Sequence, residues 1–215
     1  MMQKLWLIPL LKSLPFAVLF VLSIRHVYAA PTGFVLQINL TPAICKIDAS
    51  QKRSRQCLEG YALTVSGLMP EGVNSRSCAT SSTAVLSPVQ KRLLMRIMPD
   101  ENTQARLWRS VGGCVSMNAT QYFRLMVNLA DKLNMPAEVT TPTSISVNRD
   151  HLKQRFVQLN SGLSPAAIQL ACNNSQGSSL LTRIQVCYQS NGRYQACHIE
   201  QVQTCANQMT IQGSY

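Results

Sequence analysis

The sequence predicts an α+β domain. Strand-like apolar runs lie at both ends of the chain, and between them come helical patterns with cap signals. Hydrophobic residues make up 46% of the 215 residues and charged residues only 13%. That balance supplies a core and excludes both a disordered chain and a coiled coil. The third observation is an even set of eight cysteines, all beyond residue 44, behind a leader-like N-terminus. Such a set implies disulfides formed in an oxidising compartment.

The elements follow in order. Phe34–Leu40 is an apolar run rich in β-formers, closed by Thr41-Pro42. Residues 46–60 are polar and basic and read as a surface loop. Tyr61–Ser66 is a second strand, ending at Gly67, and residues 71–86 form a Ser/Gly/Asn/Thr-rich loop. Ser87 caps a helix with Pro88 at its first position, running to about Met98 and stopping at Pro99. A shorter helix, Thr103–Val111, ends at Gly112-Gly113. Asn118 and Gln121 have the spacing of a capping box. The helix behind them places Tyr122, Met126, Leu129 and Leu133 on one core-facing stripe, and Pro136 ends it. Asn148 caps a further helix to about Leu159, with Leu152, Phe156 and Leu159 inward. Ala167–Cys172, Leu181–Tyr188 and Arg193–Ile199 read as strands, with Asn191-Gly192 as a hairpin turn.

Residues 1–29 read as a secretory signal. Lys4 gives the positive start, Leu14–Leu22 the longest apolar run, and Val27-Tyr28-Ala29 the small-residue cleavage site. That run falls well short of the ~20 residues a membrane span takes. A retained anchor is the competing reading, because Lys12 interrupts the apolar part and Arg25-His26 come late. The domain is then residues 30–215, secreted or periplasmic. Its sequons at Asn39, Asn118 and Asn173 matter only in a glycosylating host. The whole chain carries a net charge of +11, with basic residues clustered between Lys46 and Arg109. Such a surface attracts RNA and other polyanions, and it also serves solubility. No Cys-x-x-Cys pair occurs, so no metal site and no cofactor is expected.

Two stretches carry more specific information. One is Leu63-Thr64-Val65-Ser66-Gly67-Leu68-Met69-Pro70. The other is Arg106-Leu107-Trp108-Arg109-Ser110-Val111-Gly112-Gly113-Cys114, followed by Tyr122-Phe123. Together they resemble the two active-site segments of the ribonuclease T2 family, Phe-Thr-Ile-His-Gly-Leu-Trp-Pro and His-Glu-Trp-x-Lys-His-Gly-Thr-Cys. Phe34–Cys45, Met98-Pro99, and Ile184–Cys187 with Cys197 extend the resemblance, in order, over nearly the whole domain. It implies a ribonuclease T2-like fold with an antiparallel central sheet. It also implies the disulfides Cys45–Cys57, Cys78–Cys114, Cys172–Cys205 and Cys187–Cys197, a connectivity the sequence alone leaves open.

The departures bear on function. Active members cleave RNA by attack of the ribose 2′-OH on phosphorus, which needs a base for that hydroxyl and an acid for the leaving oxygen. Here Ser66 and Arg106 stand at histidine positions, Leu107 at the glutamate, Ser110 at the lysine and Val111 at the last histidine. Met69 replaces a tryptophan. The resemblance therefore implies no catalytic residue at these positions and a protein that binds RNA or another polyanion. Arg106 and Arg109 are candidate phosphate contacts, and Met69 and Trp108 candidate base contacts. A working endoribonuclease would have to use other groups, such as His151 or His198. A third reading is a partner-binding module with no nucleic-acid role.

Overall fold

The structure is a computed structural model describing residues 30–175, 177–198 and 205–214. The leader reading and the end of the expected strand at Ile199 lie outside the described residues. Six strands form one sheet: β1 (Gly33–Leu40), β2 (Leu63–Glu71), β3 (Ile145–Asn148), β4 (Ile168–Ser175), β5 (Ser178–Gln189) and β6 (Gln208–Ile211). Their order is β2-β1-β5-β6-β3, with β4 on the opposite flank of β5. The sheet is mixed rather than antiparallel throughout. β5 meets β6 in parallel at Leu180↔Thr210, while every other strand pair is antiparallel.

Pleating explains how the strands share work between the two faces. Phe34, Leu36, Ile38 and Leu40 alternate onto one face, opposite Tyr188, Val186 and Ile184 of β5. That face joins the core formed with Tyr122, Met126 and Leu129 of α5 (Ala119–Lys132) and Leu152 and Phe156 of α6 (Arg149–Leu159). The second face carries Gln37 beside Gln185 and Asn39 beside Arg183. The site lies at the Asn39–Arg183 end of this polar face.

Two helices flank β2. In α3 (Pro88–Ile97), Ser87 accepts from the Gln90 N–H and Gln90 answers the Ser87 N–H, a complete capping box. α4 (Glu101–Val111) is capped by Asp100, which accepts from the Asn102 N–H. Asn118 and Gln121 form the same reciprocal box at the start of α5.

Several expectations need correction. Residues 46–60 are not plain loop. They contain the end of α1 (Thr41–Ile47), a 3₁₀ turn at Ala49–Gln51 and α2 (Arg55–Leu58). β2 does not stop at Gly67 but runs to Glu71, because Leu68 to Glu71 pair with Leu36 to Gly33 of β1. Leu159 is 40% exposed, since α6 turns inward only Leu152 and Phe156. Residues 193–198 make a single bridge, Tyr188↔Tyr194, rather than a strand. There the backbone leaves the ladder, and the Cys197 N–H donates to Ala166 O.

All four cysteine pairs implied by the resemblance are joined: Cys45–Cys57, Cys78–Cys114, Cys172–Cys205 and Cys187–Cys197. Among the described residues no helix is long and apolar enough to cross a membrane.

Candidate functional site

The two motif stretches meet where β2 passes α4. The register of β2 on β1 steps from Gln37↔Gly67 to Ile38↔Val65, so Ser66 is the extra residue of a β-bulge. A bulge re-aims the side chain it carries. The Ser66 hydroxyl lies 3.4 Å from Gln37 O and lines a cleft of about 290 Å³. Gly67 then permits close approach: a Cβ there would lie 3.1 Å from Leu107 Cδ1 and 3.4 Å from Met69 Sδ.

Behind this contact the scaffold is fixed from two sides. The buried Tyr122 hydroxyl donates to Leu68 O at 2.8 Å and accepts from the Leu68 N–H at 3.3 Å. Burial pushes its ionisation well above the ordinary tyrosine value, so it stays an O–H donor. Trp108 and Phe123 stack beside that ring, with centroids 5.8 and 5.1 Å away. On the far side, the Gly113 N–H donates to Cys78 O and the Thr80 N–H to Arg109 O, beside the Cys78–Cys114 bridge.

Leu107 is 7% exposed and Val111 1%, so both are core residues. Ser110 is exposed and its hydroxyl donates to Leu107 O within the helix. Arg106 points outward. Its Nη2 donates to Thr103 Oγ1 at 2.8 Å and lies 3.7 Å from Asp100 Oδ2. Arg109 does not join the Ser66 cleft. It lines a separate cavity of about 390 Å³ with Lys91, Glu101 and Trp108, across α4. Trp108 is 4% exposed and its indole N–H donates to Ser82, so it packs rather than presenting a face for a base. Met69 is half-buried against the core.

The cleft contains two residues that motif reading missed. Asn39 on β1 and Arg183 on β5 sit side by side in the register, and Arg183 Nε donates to Asn39 Oδ1 at 3.2 Å. Arg183 is half-buried and forms no ion pair among the described residues. Burial lowers its pKa, the expected direction for a cation removed from water without a counter-charge. The signal was present in the sequence: a lone arginine inside the apolar run Leu180–Tyr188. Two carboxylates also line the cleft, and both are engaged locally. Asp48 is held below the usual carboxylate range by the Ser50 hydroxyl and N–H. For Asp100, burial raises the pKa, but hydrogen bonds from Thr103 and the Asn102 N–H outweigh it and the net direction is down.

The two histidines of residues 30–215 lie elsewhere. His151 sits in the first turn of α6, its N–H bound to Asn148 Oδ1. The His198 N–H donates to Glu71 Oε1, at the far end of β2 from Ser66. Neither lines the cleft. Among the described residues no cluster of His, Cys, Asp and Glu is arranged to hold a metal ion.

The mixed sheet, its flanking helices and the four disulfides make up a ribonuclease T2-like fold. Solved structures that resemble it include plant ribonucleases and a ribonuclease-related protein. A variant of RNase MC1 in complex with 5′-UMP superposes with a TM-score of 0.66 at 17% identity, covering 85% of this chain and 99% of that one. RNase MC1 from bitter gourd seeds gives 0.59 at 19% identity, with 82% and 98% covered. The self-incompatibility-associated SF11-RNase of Nicotiana alata gives 0.65 at 16% identity, with 84% and 99% covered. An RNase-related protein from Calystegia sepium gives 0.63 at 16%, with 86% and 98% covered. No family model matches the sequence. No curated protein matches it either.

Proposed function

We propose that this chain is a secreted or periplasmic relative of the T2 ribonucleases that binds single-stranded RNA without cutting it. The observation that carries the reading is Arg183. A half-buried guanidinium with no ion-pair partner among the described residues lies in the cleft beside Ser66 and Asn39. An uncompensated, partly desolvated cation is costly, and an anion offsets that cost. A guanidinium also fits a phosphate bidentately. Nucleotides are the ligands of three of the similar structures, 5′-UMP in one and 5′-GMP in two.

Transesterification needs groups that exchange protons near neutral pH. The Ser66 hydroxyl donates to Gln37 O, the cleft carboxylates Asp48 and Asp100 are engaged by their own local hydrogen bonds, Leu107 and Val111 are buried hydrocarbon, and Arg106 does not give up a proton. Phosphate contact thus moves from the expected Arg106 and Arg109 to Arg183, with Arg106 already engaged by Thr103 and Asp100. The eight cysteines, all paired, fit an oxidising compartment and the reading of residues 1–29 as a cleaved leader.

The test is a binding titration of the oxidised protein with a fluorescently labelled single-stranded RNA at low and physiological salt. The wild type should bind with affinity that falls as salt rises. Arg183→Gln should lose ~10–100-fold, the range for one charge-assisted hydrogen-bonding group. Equal affinity of Arg183→Gln and wild type, or binding indifferent to salt, would overturn the assignment.

A further inference from the structure

A second surface, sharing no residue with the Ser66 cleft, has the character of a docking site. α3 and α5 lie side by side, and between them runs an apolar groove of about 230 Å³. Its walls are Leu93 and Leu94 from α3 and Phe123 and Val127 from α5. Along the open lip runs a strip of exposed aliphatic side chains. Val85 is 78% exposed, Val89 66% and Leu93 41%. Among the described residues, half of the large hydrophobics left this exposed fall in this one stretch. Val89 and Leu93 are one helical turn apart, and Thr120 of α5 holds the Val85 carbonyl by its hydroxyl, which keeps the strip against the groove.

The charges around the groove are of one sign. α3 contributes Arg92 and Arg96 on its outward side, and α5 contributes Arg124 on the groove wall. α3 has no acid, and the only acid of α5 is Asp131, in its last turn. None of these groups is in an ion pair among the described residues. On α3 the angular order outward from the groove is Leu93, Val89, Arg96, Arg92, so an apolar band passes directly into a basic one.

We infer that this groove docks an acidic amphipathic helix of a protein partner. Charge complementarity selects the acid: flanking Arg92, Arg96 and Arg124 meet carboxylates on either side of the partner's apolar face. The concave shape between two helices suits aliphatic anchors spaced one turn apart. An RNA strand would find no aromatic face for its bases here, since Phe123 is 2% exposed. A flat lipid surface would leave the groove unfilled. The proposal does not rest on the RNA-binding reading and survives its failure.

The experiment uses the oxidised protein and three labelled probes. The first is a designed helical peptide with leucines at i, i+4, i+7 and i+11 flanked by glutamates. The second is the same peptide with lysines for the glutamates, and the third is a phosphatidylglycerol vesicle. The acidic peptide should bind, and the lysine version at least ~10-fold more weakly. Leu93→Asp should abolish peptide binding while melting at the wild-type temperature, because the side chain is exposed. Arg124→Glu should weaken it ~10-fold or more and lessen its salt dependence. Binding unchanged in both variants would overturn the proposal. So would equal affinity for the two peptides, or capture of the vesicle but not the acidic peptide through Leu93.

Discussion

Removing one oxygen atom, in Tyr122→Phe, measures how α5 holds the first motif stretch. β2 ends the sheet order, so one of its edges has no neighbouring strand. Leu68 turns both its N–H and its C=O to that edge, and the Tyr122 hydroxyl satisfies both, at 3.3 and 2.8 Å. The phenyl ring of the variant keeps the contacts with Trp108 and Phe123, so no large cavity opens. What is lost is two partners for backbone groups in a site where the residue is 0% exposed. Each unsatisfied group costs ~1–3 kcal/mol, so the pair should cost about 2–6 kcal/mol. In a domain of this size, at roughly 2–4 °C per kcal/mol, that is a fall in Tm of about 4–24 °C. Burial raises the Tyr122 pKa, so the contribution is fully present below the ordinary tyrosine value near 10 and is lost as pH rises beyond it. A thermal melt followed by circular dichroism at pH 7 gives the number. A drop under ~2 °C would refute the claim that this hydroxyl fixes the edge of β2.

Other consequences follow from the same packing. Gly113→Ala should cost several times what Gly67→Ala costs. A Cβ at Gly113 meets the backbone oxygens of Ala79 at 2.8 Å and Cys78 at 3.0 Å, whereas at Gly67 it meets the movable end of Leu107; urea denaturation of both variants compares them. Replacing Cys78 and Cys114 together by serine should lose ~2–5 kcal/mol, read in the same assay, because that bridge anchors the loop to the end of α4. Asp100→Asn should change stability by less than ~1 kcal/mol at pH 7, since asparagine caps a helix as well and the Arg106 contact is exposed. The folded Asp100 pKa lies below its ordinary value, so its contribution is present above that value and lost as pH falls through the folded one. Melts between pH 5 and 2 should therefore fall less steeply in Asp100→Asn than in wild type.

Local signals in the sequence placed most helices within a residue or two. Ser87 with Gln90 and Asn118 with Gln121 are short-range hydrogen-bond devices, and both form as the spacing implies. β3 and β6 are four residues each, too short to show an alternating pattern, and they exist because they pair with one another. The expected strand at 193–199 has a strong Asn191-Gly192 turn before it. Beyond Gln195 the chain turns instead to bond Ala166 and Glu71. The site was legible where motif and scaffold coincide, at Ser66, Gly67, Leu107 and Tyr122. Asn39 and Arg183 escaped because cross-strand register, over a sequence separation of 144 residues, brings them together. Trp108 and Arg109 line the cavity across α4 instead of the Ser66 cleft, because helical phase decides which side of α4 a residue faces. Both fall on the side away from Ser66.

The most direct measurement is a single-turnover incubation. The oxidised protein, in about tenfold excess over an end-labelled single-stranded RNA, is held at pH 5–8 and the RNA ends are read by mass spectrometry. RNA retained on the protein yet full-length at every pH is the expected result. Fragments ending in a 2′,3′-cyclic phosphate, produced by wild type and lost in Ser66→Ala or Arg106→Ala, would contradict it.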